Sequence, residues 1–348
     1  MGRVVDFTAI NAKIKAMEGF WLKKSQYKEL IECNNFREAL IYLRDKTKYG
    51  DTLKEYNVEE LHRGQLEVIL KRKYISNFTK LSHFLRDDYR KLLKVIFTRF
   101  EVDDIKVIIR GKYIGKRTED LEQRISYKCS MSTINYDELL QADNVEQVVD
   151  KLKGTIYYKY IYNLVDSIED DGLFRIEMAL DSVYFILLKR FIKKLPKEDK
   201  EVVEKINGIQ ADLLNIQMIY RGLKYYQLPS EILFNYAVQD GCKLKKDDLK
   251  RLCYSKNIDD FLNKIKTTAY KEIFNISEFE DYLLEKEMMA FLQKLYTRYK
   301  TEAKMNISVI LAYLELSLIE YRNIVSIVEN KRYSQHNDEI IKYITTTM

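Results

Sequence analysis

Three pairs of acidic or amide side chains recur in this chain at a spacing that suits acid–base chemistry. The pairs are Glu101 with Asp104, Asp212 with Asn215, and Glu320 with Asn323. Residues three apart are neighbours on a helix, and neighbouring carboxylates can act as general acid and general base. An enzyme needs one such site and would let further copies drift. The threefold recurrence therefore favours a structural role in capping or packing.

Each pair lies within a nine-residue pattern, at residues 101–109, 212–220 and 320–328. An acid is followed three residues later by Asp or Asn, then by Ile, and by Ile again three residues further on. In the first copy Val102, Ile105 and Ile108 fall on one stripe of an α-helix, and the later copies repeat that stripe. The spacing of 111 and 108 residues predicts one helical module built three times.

A second block repeats with the same period, in residues 30–49, 139–157 and 252–270. Each copy contains an Asn before a short apolar pattern, and this Asn is predicted to cap a helix; the three are Asn35, Asn144 and Asn257. Each copy ends in Thr-x-Tyr, at 47–49, 155–157 and 268–270. Because the two blocks keep their order, triplication explains them better than coincidence among amphipathic helices.

The composition predicts an all-α fold. Only 2 prolines and 11 glycines interrupt 348 residues, so long helices are expected. The repeat divides the chain into three helical-bundle modules, residues 1–118, 119–226 and 227–348. Helical periodicity lapses near residues 115–118, and Pro229 marks the start of a helix at the second boundary.

The sequence predicts no catalytic, metal or cofactor site. It contains neither GxxxxGK[ST] nor GxSxG, and its 4 cysteines and 3 histidines lack the spacing of a zinc site. Free thiols in a reducing compartment are the simpler expectation. The net charge of +6 comes from 59 basic and 53 acidic residues that are interleaved, which is weak evidence for a polyanionic partner.

The location is predicted from apolar segments. No signal peptide is recognisable, and no apolar run reaches the roughly 18–20 residues that a membrane span needs. We therefore expect a cytoplasmic protein, or one that sits on a membrane complex without entering the bilayer.

Two copies of the nine-residue pattern end in a basic residue followed by Gly, at Arg110-Gly111 and Arg221-Gly222. This order predicts a helix C-terminus, where the cation faces the negative end of the helix dipole and Gly adopts a left-handed turn. The third copy carries Glu329-Asn330 instead, which reverses the charge.

Taken together, these segments resemble the C subunit of prokaryotic V/A-type ATPases, whose eukaryotic relative is the d subunit of the vacuolar proton pump. The segments that carry the resemblance are residues 7–19, 27–50 with its Thr-x-Tyr-Gly ending, 101–111, 178–185, 322–325 and 340–344. They follow the family's order over essentially the whole chain. Glu329-Asn330 departs from the Arg-Gly of the other modules and puts a threefold-equivalent contact there in doubt.

The resemblance implies a fold and a role. The three modules would form a funnel with pseudo-threefold symmetry, and the protein would be a non-catalytic central-stalk subunit of a rotary ATPase. It would couple the shaft, made of subunits D and F, to the proteolipid rotor ring at the cytoplasmic face of the membrane. Candidate partner contacts are Arg110, Gly111, Arg221 and Gly222, although a purely structural helix end explains these residues equally well.

The alternative function is a helical-repeat scaffold or a nucleic-acid-binding protein unrelated to the ATPase. The 27 tyrosines could stack on bases, but they are not interleaved with a clear basic groove. A metal-free helical enzyme ranks last, because no paired base and nucleophile are found.

Overall fold

A computed structural model describes residues 2–128, 132–239, 241–274, 281–302 and 305–345. Within these ranges the chain is helical and contains no β-strand, which confirms the predicted all-α class. The chain divides into two compact units. The first consists of Met1–Arg86 together with Ile276–Met348, and the second is Asp87–Asn275.

The helices are numbered in chain order. The first unit begins with α1 (Gly2–Glu18), α2 (Lys24–Glu32), α3 (Phe36–Lys46), α4 (Gly50–Leu53) and α5 (Arg63–Ser82). The second unit contains α6 (Asp87–Tyr113), α7 (Thr118–Glu122), α8 (Tyr136–Leu140), α9 (Val145–Lys151), α10 (Tyr158–Ile161), α11 (Ile168–Asp171), α12 (Phe174–Ile192), α13 (Lys197–Arg221), α14 (Ser230–Tyr236), α15 (Lys246–Cys253) and α16 (Ile258–Ile265). It also contains 3-10 helices at Tyr162–Ser167 and Lys271–Phe274 and a π-helical turn at Gly222–Tyr226. The first unit is completed by α17 (Asp281–Glu302), α18 (Ser308–Arg332) and α19 (Asn337–Tyr343).

In the first unit, α18 is the central helix and packs against α1, α3, α5 and α17. Its predicted stripe is buried: Tyr321, Ile324 and Ile327 lie in the core with Leu40 and Leu43 of α3. The C-terminal copy of the nine-residue pattern therefore packs on the N-terminal copy of the second block.

In the second unit, α6 takes the corresponding position and packs against α9 and α12. Its stripe, including Val102, Ile105 and Ile108, shares a core with Val148 and Val149 of α9. Burying such aliphatic side chains contributes about 1.5–3 kcal/mol each. The pattern helix of one copy thus packs on the second block of the copy that follows it in the chain.

The helix starts agree with the sequence. The Oδ1 atoms of Asn35, Asn144 and Asn257 accept hydrogen bonds from the backbone N–H three residues later, at 3.0, 2.9 and 2.9 Å. These N-caps, worth about 1 kcal/mol each, were all predicted and are confirmed. The helix predicted to start at Pro229 begins at Ser230.

The predicted division into residues 1–118, 119–226 and 227–348 stays a prediction. The described chain does break between α6 and α7, as the lapse in periodicity indicated. The compact units, however, join segments of the predicted first and third modules.

Candidate partner-binding site

The first acid of each nine-residue pattern binds the tyrosine of a Thr-x-Tyr segment. The hydroxyl donors and their acceptors are Tyr157 with Glu101, Tyr270 with Asp212 at 2.7 Å, and Tyr49 with Glu320 at 2.8 Å. The first two acids bind the tyrosine of the copy that follows them in the chain. The third acid binds the tyrosine nearest the N-terminus. We call each of these arrangements a tyrosine–carboxylate interlock.

The same carboxylates also accept hydrogen bonds from the backbone of an adjacent loop. Glu101 accepts from the N–H of Thr133, and Glu320 accepts from the N–H of Leu22 at 3.1 Å. Asp212 accepts from Lys243 at 2.7 Å and from the next residue at 3.2 Å. Each interlock therefore joins three parts of its unit: the pattern helix, a loop and the Thr-x-Tyr segment.

The second polar residue of each pattern fastens the chain that follows its helix. The Asp104 carboxylate accepts from the backbone N–H of Tyr127 at 2.7 Å. The Asn215 amide accepts from the backbone N–H of Val238 at 2.7 Å and donates to its carbonyl oxygen at 2.8 Å. Asn323 accepts from the N–H of residue 345 at 3.1 Å. These buried polar residues thus have structural partners, which agrees with the structural role inferred from their recurrence.

Burial changes the acidity of these groups. It raises the pKa of the Glu320 carboxyl to about 8, although hydrogen bonds from Tyr49 and Leu22 favour the charged form and oppose the shift. Burial also raises the pKa of Asp212, against the effect of its backbone and tyrosine donors. The pKa of the Tyr49 hydroxyl is raised by burial and by the adjacent Glu320.

The predicted left-handed turns at Gly111 and Gly222 are wrong. Helix α6 continues to Tyr113, and after Arg221 the chain continues as the π-helical turn. The positive backbone φ angles occur instead at Gly115 (69°) and Gln227 (48°).

Close packing explains why both positions are glycine. A Cβ atom added at Gly111 would lie 2.1 Å from Cδ2 of Leu121, and one added at Gly222 would lie 2.4 Å from Cδ2 of Leu233. Each glycine therefore lets a leucine of the following segment approach the helix. Glycine is therefore required at both positions by a tertiary contact, although an Arg followed by Gly looks like the local signal for a helix end.

The two arginines have different surroundings. Arg110 forms a bidentate ion pair with Glu177, with Nε 2.5 Å from Oε1 and Nη2 2.6 Å from Oε2. The Arg110 side chain is 53% exposed. Arg221 is exposed and forms no ion pair within the described residues. The structure therefore does not make Arg110 and Arg221 equivalent, whereas Gly111 and Gly222 are.

Just beyond the end of each pattern helix lies an exposed residue that the sequence analysis missed. Thirteen positions after the first acid stand Ile114, Tyr225 and Tyr333. Their exposed fractions are 64, 56 and 61%, the highest of any large apolar or aromatic side chain in the described ranges. We call these three the helix-end residues. Continuing the repeat alignment past its ninth position would have shown that all three are large.

Basic groups accompany the helix-end residues. The Lys224 ammonium lies 5.4 Å from the centre of the Tyr225 ring, and the Arg332 guanidinium lies 5.8 Å from the centre of the Tyr333 ring. Lys112 precedes Ile114 by two positions. Aromatic residues and arginine are enriched at protein interfaces. These helix ends are the candidate partner-binding site.

Metal sites and membrane spans are absent from the described part of the chain. No group of His, Cys, Asp and Glu side chains there could hold a metal ion. Cys33, Cys242 and Cys253 are free thiols, whereas Cys129 lies outside the described residues. Among the helices described, none is both long enough and apolar enough to cross a membrane.

Comparison with known proteins identifies the class. Residues 10–343 match the family model described as ATP synthase (C/AC39) subunit, which places the chain among the subunits of rotary ATP synthases. The chain belongs to the ATP synthase (C/AC39) subunit family, whose members are non-catalytic subunits of the complex. The resemblance seen in the sequence is thereby confirmed.

Curated relatives agree over nearly the full length. The C subunit of the A-type ATP synthase of Methanocaldococcus jannaschii is 25% identical over 345 residues, covering 96% of this chain and 85% of the relative. The protein of the same name from Methanobrevibacter smithii is 24% identical over 332 residues, covering 92 and 83%. That from Methanosphaera stadtmanae is 22% identical over 344 residues, covering 97 and 86%.

Proposed function

We propose that this chain is the central-stalk subunit that couples the shaft of a rotary ATPase, subunits D and F, to the membrane rotor ring. The coupling would serve ATP-driven ion transport or ATP synthesis at the cytoplasmic face of the membrane. Family membership supports the role, and the tyrosine–carboxylate interlock, present in three copies, is the observation that carries it. A part that transmits torque must resist bending, and it needs the same reinforcement in each module.

The interlocks favour stiffness because of where they act. Each surrounds a buried carboxyl group with donors from two other segments, and a hydrogen bond contributes about 0.5–1.5 kcal/mol to a neutral group or about 1.5–3 kcal/mol to a charged one. The interlock of Glu320 fixes the N-terminal block to the C-terminal helix α18. The last pattern helix therefore bonds the first copy of the second block. This order of contacts is expected if three modules close into a funnel. That funnel, with modules 1–118, 119–226 and 227–348, is part of the proposal.

The helix-end residues are proposed to contact the neighbouring subunits. Their apolar surface would be covered by the partner, and the adjacent cations favour acidic groups around the contact. Arg110 and Arg221 would lie at the edge of these contacts. Gly111 and Gly222 would act indirectly, because they allow the leucine packing that shapes the helix ends.

Purification from membranes tests the function. The affinity-tagged full-length chain, recovered from detergent-solubilised membranes of its own cells, should bring with it the two shaft subunits and the proteolipid. These would be identified by mass spectrometry. Recovery of RNA, without ATPase subunits, would overturn the proposal and favour the nucleic-acid alternative.

Substitutions test the proposed contacts separately. Ile114→Ser, Tyr225→Ser and Tyr333→Ser should each reduce recovery of partner subunits, while the melting temperature of the isolated chain stays nearly unchanged. Tyr56→Ser is the matched control, because Tyr56 is 39% exposed and belongs to no pattern helix. Unchanged recovery in all three variants would exclude the helix ends as contacts and leave the coupling role to other surfaces.

A further inference from the structure

The second unit contains a cavity beside the Glu101 interlock that the coupling role does not use. Its volume is about 240 Å³, or about 620 Å³ with its open mouth. Helices α6 and α12 and the Thr-x-Tyr segment at 155–157 contribute to its lining. The apolar walls are formed by Val95, Tyr127, Ile156, Leu187 and Phe191. Because an apolar cavity of about 150 Å³ is large enough for benzene, this one has room for two fused rings.

One buried polar side chain lines this cavity without a partner. Thr98 lies on α6, three residues before Glu101, and is only 7% exposed. Its hydroxyl forms no hydrogen bond with any other residue in the described part of the chain. Buried hydroxyl groups are normally bonded. A molecule in the cavity that donates an N–H or O–H group would supply the partner.

The first unit shows which group fits at the equivalent place. The residue three positions before its interlock acid is Ser317, and it accepts a hydrogen bond from the indole N–H of Trp21 at 3.1 Å. The Trp21 ring also stacks on Tyr313, with the ring centres 5.5 Å apart. Only about 40 Å³ remains open beside these side chains. The first unit thus supplies its own aromatic group, bonded to the hydroxyl that corresponds to Thr98.

The second unit has a small residue where the first has this indole. The loop residue that precedes the backbone donor of the interlock is Trp21 in the first unit and Ser132 in the second. The stacking partner differs as well, since the counterpart of Tyr313, seven positions before the acid, is Lys94. Lys94 lines the cavity, and its methylene chain and ammonium group can both contact an aromatic ring. The exchange of tryptophan for serine explains why the second cavity is the larger one.

We infer that this cavity binds a small planar aromatic molecule that carries one N–H or O–H donor, of which indole is the simplest example. The donor would bond the hydroxyl oxygen of Thr98, as Trp21 bonds Ser317 in the first unit. The rings would pack against Leu187 and Phe191 of α12. This assignment is independent of the proposed coupling role, because it concerns a free small molecule and the isolated chain.

Titration of the full-length protein with indole tests the inference. Calorimetry should show saturable binding to one site, and the fluorine NMR signal of 5-fluoroindole should broaden on binding as a second readout. Benzofuran has nearly the same shape but carries an oxygen in place of the N–H group. It should therefore bind about two- to tenfold more weakly than indole.

Thr98→Val tests the proposed hydrogen bond. The variant keeps nearly the same shape and loses the hydroxyl, so it should no longer prefer indole to benzofuran. Its thermal midpoint should stay close to that of the wild type, because the Thr98 hydroxyl bonds no other described residue. A Thr98→Val variant that keeps the full preference for indole would contradict the assigned contact.

Ser132→Trp tests the location of the site. This substitution supplies an indole at the place that Trp21 takes in the first unit, and it should abolish binding of added indole. Ser76→Trp adds the same ring at an exposed position of α5 and should leave binding unchanged. The inference is overturned if indole gives no saturable binding by either method, or if benzofuran binds the wild type as tightly as indole does. It is also overturned if Ser132→Trp binds indole as the wild type does.

Discussion

The same substitution, Glu to Gln, should have opposite effects in two of the interlocks. In Glu320 both donors converge on one oxygen: the Leu22 N–H at 3.1 Å and the Tyr49 hydroxyl at 2.8 Å both bond Oε1. None of the described residues donates to Oε2, so that atom can carry a proton. In Glu101 both oxygens accept, because Thr133 bonds Oε1 through its N–H and Oε2 through its hydroxyl.

The raised pKa of Glu320 makes the stability of the first unit depend on pH. Its folded-state pKa is about 8, whereas a glutamate in an unfolded chain titrates near 4.3. Between these values the folded chain holds the proton and the unfolded chain has released it, so rising pH favours unfolding. The contribution of Glu320 to the free energy of unfolding is fully present below about pH 4.3. It falls by about 1.4 kcal/mol per pH unit up to pH 8. From pH 5 to pH 8 the free energy of unfolding should therefore fall by about 4 kcal/mol.

Glu320→Gln should remove this dependence. The glutamine Oε1 can accept from Leu22 and Tyr49, and its amide group replaces the protonated oxygen, which has the same shape. The variant should match the wild type at pH 5 and be more stable at pH 8. Glu101→Gln should instead lose stability at both pH values, by about 1.5–3 kcal/mol, because its amide nitrogen would face a donor.

Urea denaturation at pH 5, 6, 7 and 8 measures both effects. Fluorescence of Trp21 reports on the first unit, since this residue bonds Ser317 on the helix that carries Glu320. Far-UV circular dichroism reports on the second unit as well. The reasoning is refuted if Glu320→Gln is no more stable than the wild type at pH 8, or if it loses stability at pH 5 as Glu101→Gln does.

Two further comparisons test the packing and the surface charges. Gly241→Ala should lower the free energy of unfolding by about 1–3 kcal/mol, since the new Cβ would lie 1.9 Å from Oδ1 of Asp212. Gly64→Ala is the control, because a Cβ atom there meets nothing within 4 Å. It should be neutral or stabilise by up to about 1 kcal/mol in the same urea assay. If both variants lost the same free energy of unfolding, the contact between residue 241 and Asp212 would be contradicted. Arg110→Glu turns an ion pair into a repulsion and should cost at most about 1 kcal/mol, whereas Arg221→Glu should leave the thermal midpoint unchanged. If the thermal midpoint fell further for Arg221→Glu than for Arg110→Glu, the Arg221 side chain would be shown to support the fold.

The features that the sequence predicted correctly are local. The caps at Asn35, Asn144 and Asn257 join a side chain to a backbone group three residues away, so their signal is complete within a few residues. The buried stripes follow from helical periodicity for the same reason. The all-α class follows from the scarcity of proline and glycine together with these periodic patterns.

The features that the sequence could not supply depend on distant contacts. Tyr49 and Glu320 are 271 residues apart, and no spacing rule connects a short segment with a helix so far along the chain. Gly111 was predicted to end a helix because a basic residue followed by glycine is a local signal, but its contact with Leu121 is tertiary. Exposure is equally non-local. Ile114 is apolar and could as well have been buried, and only the packed structure places it in solvent.

Differences among the interlocks show how the repeats have diverged without losing their function in the fold. The tyrosine is constant, whereas the acid is Glu in two copies and Asp in the other. Aspartate is one methylene shorter, so the loop that donates to Asp212 must come closer to the helix. Gly241 permits this approach, because any side chain there would overlap the carboxylate. A shorter acid and a smaller loop residue together preserve the same contact. The geometry of the interlock is therefore the constraint, and the individual residues vary in ways that maintain it.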